Sequence, residues 1–260
     1  LQTNVYQHFR KDEHPFIESV LDWIDQVTAQ YAPIVTDFLN PREKFIVESL
    51  VNGNLDIECQ FYGGFEESER KCAILYPNYY TPSIEDFEIK IFEISYPTKF
   101  CDLTHGKILG TIINKGIKRE CIGDIITDGE KWQIFMKKSI ANYVVIQTEK
   151  ISNVSIRFIE IELNDVMKPI EDWMLENHTI SSLRIDNLVS SVYNISRQRS
   201  KKLIESGKVQ LNWTPIERPD LVADIKDIVS VRGFGRIQLE DIQGKTRKDK
   251  IRIAIRCLRK

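Results

Sequence analysis

Apolar positions between Asp12 and Tyr31 recur at the helical period. Phe16, Ile17, Val20, Leu21, Ile24 and Val27 form one stripe, which predicts an amphipathic helix closed by Pro33. A second helix is predicted to open at Asn40-Pro41-Arg42-Glu43, with Asn40 as N-cap, Pro41 at the first helical position and Glu43 reaching back to the cap. It should run to about Val51 and end near Gly53. The period then becomes twofold: Leu55, Ile57, Cys59 and Phe61 alternate with polar residues, Gly63-Gly64 makes a turn, and Cys72 to Tyr76 supplies a second strand. Residues 1–77 therefore read as a small N-terminal α+β domain.

From Tyr79 to Ile161 the predicted order changes to strand (Phe87 to Ile94), helix (Thr104 to Lys115), strand (Gly123 to Thr127), strand (Lys131 to Met136), helix (Ser139 to Gln147) and strand (Asn153 to Ile161). This βαββαβ order is the ferredoxin-like one, used by RNA-recognition domains and by many domains that never meet RNA. Residues 78–162 are expected to form such an RRM-like middle domain. Its third strand lacks the aromatic signature of a base-stacking sheet, so Trp132 and Phe135 are expected in the core. The basic loop from Gly116 to Glu120 has two readings: Gly116 caps a helix and Lys118 and Arg119 are solvated, or these two cations form a second phosphate-contacting surface. Residues 163–178, with Pro169 and acidic residues around Trp173, read as a linker.

Residues 179–260 return to short periodic elements. Ile185, Leu188, Val189 and Val192 fall at i, i+3, i+4 and i+7, leaving Arg184, Asn187 and Ser191 on the outer face. Ser196 is a natural N-cap for a helix from Arg197 to Ser206 that Gly207 closes. That helix holds Arg197, Arg199, Lys201 and Lys202, with no acidic residue before Glu205 to relieve their repulsion. Cations beside a helix N-terminus, with its free N–H groups, make an anion the expected partner. Strands are predicted at Lys208 to Asn212 and Asp227 to Arg232, then a hairpin pairing Arg236 to Ile242 with Lys250 to Leu258. Ile251, Ile253, Ile255 and Cys257 share one face of its second strand and Arg252 and Arg256 the other. Phe234, between Gly233 and Gly235, either stacks on a base or plugs the core, and the core is the expectation. Lys208, Arg232 and Arg236 extend the candidate surface, and the hairpin turn adds Lys245, Arg247 and Lys248.

Charge sharpens this division. Overall the chain carries −2, yet residues 178–260 hold 18 Lys and Arg against 9 Asp and Glu, and residues 1–177 hold 18 against 29. A basic module on an otherwise acidic chain points to a polyanion, because neutralised phosphates release condensed counterions. No apolar run reaches the roughly 18–20 residues of a membrane span, and Leu1 to Arg10 lacks the order of a signal peptide; a cytoplasmic protein is expected. Cys59, Cys72, Cys101, Cys121 and Cys257 include no C-x-x-C pair and read as buried thiols. Cys101 and His105 have the spacing of half a metal site, but no second half follows. Neither a phosphate-cradling G-x-x-x-x-G-K-[ST] loop nor a G-x-S-x-G elbow is present, and His8, His14, His105 and His178 have no evident catalytic partner in sequence. No catalysis, cofactor, metal or small-molecule substrate is expected.

The stretch Leu183-Arg184-Ile185-Asp186-Asn187-Leu188, then Ser196-Arg197, Leu203 to Val209, Asn212, Pro219 and Asp227, resembles the S-four domain, the RNA-binding fold named for ribosomal small-subunit protein four. The resemblance implies an RNA surface on two helices and a neighbouring strand edge, with Arg184, Ser196, Arg197, Lys201 and Lys202 as contacts. Trp213 and Lys226 depart from it, standing where glycine is usual. Arg184-Ile185-Asp186 also looks like the catalytic stretch of pseudouridine synthases, but it lies within the S-four helix and no large catalytic domain remains. Across nearly its whole length the chain is similar to the bacterial YlmH family, through Tyr6-Gln7-His8-Phe9-Arg10, Phe38 to Glu43, Tyr62-Gly63-Gly64 with Glu69-Arg70-Lys71, Leu109-Gly110, Lys118-Arg119-Glu120, Gly123-Asp124-Ile125 and Val231 to Arg236.

That resemblance implies an α+β protein of three small domains that binds rRNA or tRNA on the large ribosomal subunit with stalled peptidyl-tRNA. It also implies a middle RNA-binding domain and a link to cell-division gene clusters. A monomer away from membranes is expected. The sequence leaves two alternatives: an interaction adaptor linked to cell division whose RNA binding is only an anchor, and a tRNA-handling protein that never meets the ribosome.

Overall fold

The computed structural model describes residues 6–7, 9–98, 101–169 and 173–259; Leu1 to Val5, His8 and residues 170–172 of the expected linker lie outside them. The chain is a mixed α+β protein that divides into two compact units, Leu1–Ile170 and Glu171–Lys260.

The first unit opens with α1 (His14–Gln30), whose stripe of Ile17, Val20, Ile24 and Val27 is buried and which ends at Tyr31 in a left-handed turn. β1 (Ile34–Leu39) follows, then α2 (Pro41–Val51), β2 (Ile57–Tyr62) and β3 (Lys71–Pro77). The predicted capping box is present: the Asn40 side chain accepts from the Glu43 amide at 2.9 Å and the Glu43 carboxylate accepts from the Asn40 amide at 2.8 Å. The three strands form a sheet in the order β1-β3-β2. β1 is absent from the pattern-based expectation because a bulge between Val35 and Phe38 breaks its alternation. Leu55 lies before β2 rather than in it and is 95% exposed.

β4 (Ile89–Ser95), α3 (His105–Ile113), β5 (Ile122–Thr127), β6 (Trp132–Lys137) and α4 (Lys138–Gln147) come next, then a short hairpin of β7 (Lys150–Ile151) and β8 (Val154–Ser155), and β9 (Arg157–Glu160). The main strands lie in the order β5-β6-β4-β9 with all neighbours antiparallel, which is the ferredoxin-like arrangement. Alternation along β6 sends Ile134 and Met136 toward a core shared with Ile108 and Ile112 of α3 and Val144 of α4. It sends Phe135 the other way, into a second core with Ile91, Ile126, Phe38, Cys72 and Ile74. Phe135 is thus fully buried, as expected, and Trp132 packs half-buried on the helix side. The buried Lys137 ammonium donates to the carbonyls of Thr36 at 3.2 Å and Phe87 at 3.1 Å. This sheet is therefore covered on both faces, by its own helices and by the N-terminal segment.

The second unit contains β10 (Met174–Ile180), α5 (Ile185–Val192), α6 (Arg197–Glu205), β11 (Val209–Leu211), β12 (Thr214–Pro215), β13 (Ile228–Val231), β14 (Gly235–Lys245) and β15 (Ile251–Arg259). β10 corrects the linker expected at 163–178: its residues pair with β15 from Met174↔Cys257 to Ile180↔Ile251. It is an edge strand of mostly polar residues, which is why it reads as connection. The sheet order is β10-β15-β14-β13-β11-β12, antiparallel throughout. α5 and α6 pack on one face, burying Ile185, Leu188, Val189, Val192 and Ile204 against Val229, Val231, Ile237, Leu239, Ile253 and Ile255. Gly235 is required where β14 begins, since a β-carbon there would lie 1.9 Å from the Leu258 carbonyl oxygen.

Candidate nucleic-acid interface

α6 starts as its sequence predicts. The Ser196 hydroxyl accepts from the Arg199 amide at 3.2 Å, and the helix ends with Gly207 in the left-handed region, its amide donating to Ile204 and that of Lys208 to Leu203. Ser200 and Ile204 are buried, so the cations fan over the outer surface. Arg197 lies on one flank, where its Nε donates to a carboxylate oxygen of Asp186 at 3.0 Å. Arg199 lies on the other, with its guanidinium 5.5 Å from the centre of the Phe234 ring. Lys201, half-buried, and Lys202, exposed, stand between them, and neither has an ion-pair partner among the described residues.

Asp186 is the residue that pattern alone undervalues. It is fully buried at the first turn of α5 and accepts from Arg184 through both oxygens, at 3.0 and 3.1 Å, as well as from Arg197. Burial pushes its carboxyl up, but the hydrogen bonds from Arg184 and Arg197 and their charges outweigh this and hold it below the usual aspartate range. The acid that relieves the α6 cluster thus comes from the preceding helix. Arg184 and Arg197 are fixed by one carboxylate while remaining 35% and 50% exposed.

Phe234 packs on the core, as expected, and its ring lies 5.2 Å from that of Tyr193. Its other contact is Arg199, so it also acts as a post for a cation of the candidate surface. Lys208 and Arg232 are exposed and adjacent, the Arg232 amide donating to the Lys208 carbonyl at 2.9 Å. Arg184, Ser196, Arg197, Arg199, Lys201, Lys202, Lys208 and Arg232 therefore belong to the helices and to the strand edge beside them.

Other candidates lie elsewhere. Arg236 alternates with the core residue Ile237 and so occupies the opposite face of the sheet, 5.1 Å from the Trp173 ring. Lys245, Arg247 and Lys248 are exposed at the far end of β14, roughly 30 Å along the strand from Gly235. Lys245 pairs there with Asp249 at 2.8 Å.

In the first unit Lys118 is exposed, whereas Arg119 is turned inward. Its guanidinium donates to the Ile122 carbonyl, and burial brings its pKa down to about 10. The surrounding motif residues interlock. The Asp124 carboxylate accepts from the amides of Glu69 and Arg70 at 2.7 and 3.1 Å, Arg70 donates to the Phe38 carbonyl at 2.7 Å, and a β-carbon on Gly123 would meet the Phe38 ring at 2.6 Å. These residues join the N-terminal and middle segments rather than forming an open site. Among the described residues no group of histidine, cysteine, aspartate and glutamate could hold a metal, and no helix is long and apolar enough to cross a membrane.

Three family models match the chain: "YlmH, N-terminal" over residues 12–80, "Putative RNA-binding domain in YlmH" over 82–165 and "S4 domain" over 183–229. The chain is 39% identical over 251 residues to the ribosome-associated protein quality control protein P2 of Bacillus subtilis (strain 168), covering 96% of this chain and 97% of that one. A solved structure of the cell division protein ylmH from Streptococcus pneumoniae is 36% identical and covers 63% of this chain and 99% of its own, with a TM-score of 0.55.

Proposed function

Because the chain belongs to the YlmH family, we propose that it is a non-catalytic, cytoplasmic RNA-binding protein of ribosome-associated quality control. In this reading it grips rRNA or tRNA on a large ribosomal subunit that carries stalled peptidyl-tRNA. The observation that carries it is the surface of α6: a capped helix whose Arg197 and Arg199 are pinned on either flank and whose Lys201 and Lys202 have no ion-pair partner among the described residues. Planar guanidinium groups held in place suit bidentate phosphate contact, and unpaired ammonium groups supply charge without geometric demand. Such a surface recognises RNA by backbone position and shape more than by base sequence. The full-length likeness to a ribosome-associated quality control protein supports the ribosome as the place where that RNA is met.

The test is binding to large subunits and to deacylated tRNA over a range of salt. Replacing Lys201 and Lys202 together by glutamate should weaken binding by about 2–3 kcal/mol and flatten the salt dependence by about two phosphate contacts. Unchanged affinity in that variant contradicts the assignment. A second reading, an adaptor linked to cell division, is favoured by the naming of the Streptococcus pneumoniae relative as a cell division protein. It predicts that substitutions in residues 1–75 abolish function while the α6 variant retains it.

A further inference from the structure

We propose that the helix-free face of the C-terminal sheet is a second RNA-backbone surface, so that this unit bridges two RNA segments, one on α6 and one across β14 and β15. α5 and α6 cover only the face bearing Ile237, Leu239, Ile253 and Ile255. By alternation, Arg236, Arg252 and Arg256 stand on the other face. In the register Gln238 faces Arg256 and Arg236 faces Leu258, which makes Arg236 and Arg256 diagonal neighbours, close enough to repel.

An aromatic ring joins these two cations. The Trp173 ring lies 5.1 Å from the Arg236 guanidinium and 5.4 Å from that of Arg256. Arg252 and Arg256 are exposed, and neither has an ion pair among the described residues. Of the carboxylates at the face, Glu240 is tied to Lys226, and Asp241, opposite Ala254, stands on this face between Arg252 and Arg256, which leaves three arginines against one carboxylate. Clustered guanidinium groups, two of them packed on an indole, have the geometry and charge for phosphodiester oxygens. Asn177 and Thr179 of β10 lie opposite Ala254 and Arg252 and add hydrogen-bonding groups along the same face. Two like-signed surfaces on opposite faces of one small module repel each other, and polyanions on both sides relieve that repulsion.

The inference rests on the reading of this unit as RNA-binding, and the experiment separates the two. The full chain is mixed with donor-labelled and acceptor-labelled copies of one RNA stem-loop, and energy transfer and salt-dependent affinity are recorded. Wild type should bring the two labels together. R252E/R256E should abolish transfer while keeping one bound stem-loop, and lower the salt slope by about two. K201E/K202E should also abolish transfer, through the other surface. W173A should weaken binding severalfold while every charge remains. R252Q/R256Q serves if the charge reversal lowers the melting temperature. Transfer and slope unchanged in arginine variants that melt like wild type overturn the bridging inference alone. If K201E/K202E is silent as well, the RNA-binding reading falls with it.

Discussion

At the scale of single residues, Asp186 carries the most weight. It couples two arginines of the candidate surface that are separate in sequence, and its carboxyl is held below its ordinary range by them. A group whose folded pKa is depressed stabilises the fold above its unfolded pKa and loses that contribution as pH falls. Asp186→Asn should therefore cost about 2–3 kcal/mol at neutral pH, measured by urea unfolding, and the gap from wild type should begin to narrow as pH falls to about 4 and go on narrowing through the lowered folded value. An Asn variant as stable as wild type at neutral pH would show that the carboxylate is only a bystander. Arg197 and Lys201 were legible as candidate contacts from charge and spacing. The Asp186 clamp was not, because a buried acid beside an apolar stripe has no signature until the next helix folds over it.

Among the elements, the β11–β12 hairpin and the turn before β13 explain why the S-four pattern prefers glycine where this chain has larger residues. Leu211 pairs with Thr214, so Asn212 and Trp213 form a two-residue turn with φ of 47° and 66°, and Lys226 has φ of 67°. A side chain larger than asparagine in the left-handed region costs about 1 kcal/mol or more. Trp213→Gly should raise the urea midpoint by an amount equivalent to about 1 kcal/mol; a loss of stability would mean that the packing of the indole outweighs the strain. Both helices of this unit were readable from the stripe at Ile185, Leu188, Val189 and Val192 and from the Ser196 and Gly207 caps. The longer strands missed, β1 and β10, carry a bulge or a polar edge, so their twofold signal is cut short, and the two-residue β7 and β12 are too short to show one.

For the whole molecule, the two units suit different tasks. The N-terminal and middle segments share the core of Phe38, Ile74, Ile91, Ile126 and Phe135, which seals the sheet face that RNA-recognition domains use for stacking. Residues 1–80 keep their own core of Val20, Val27, Val47 and Leu75 but lose the shared one, so alone they should melt well below residues 1–169. Equal melting temperatures for the two pieces would contradict the shared core. The βαββαβ order was legible from sequence, but not what covers it, since burial on both faces looks in sequence like any apolar strand. The proposed function accordingly places the principal RNA surface on the basic unit, to which the charge asymmetry along the chain already pointed.

The most direct test of that account is ultraviolet crosslinking in cells followed by sequencing of the attached RNA, with wild type and K201E/K202E compared at equal abundance. Wild type is predicted to give crosslinks concentrated on large-subunit rRNA and tRNA, most of which disappear in the variant. Crosslinks of the same pattern and yield in the variant, or none on ribosomal or transfer RNA in wild type, would contradict it.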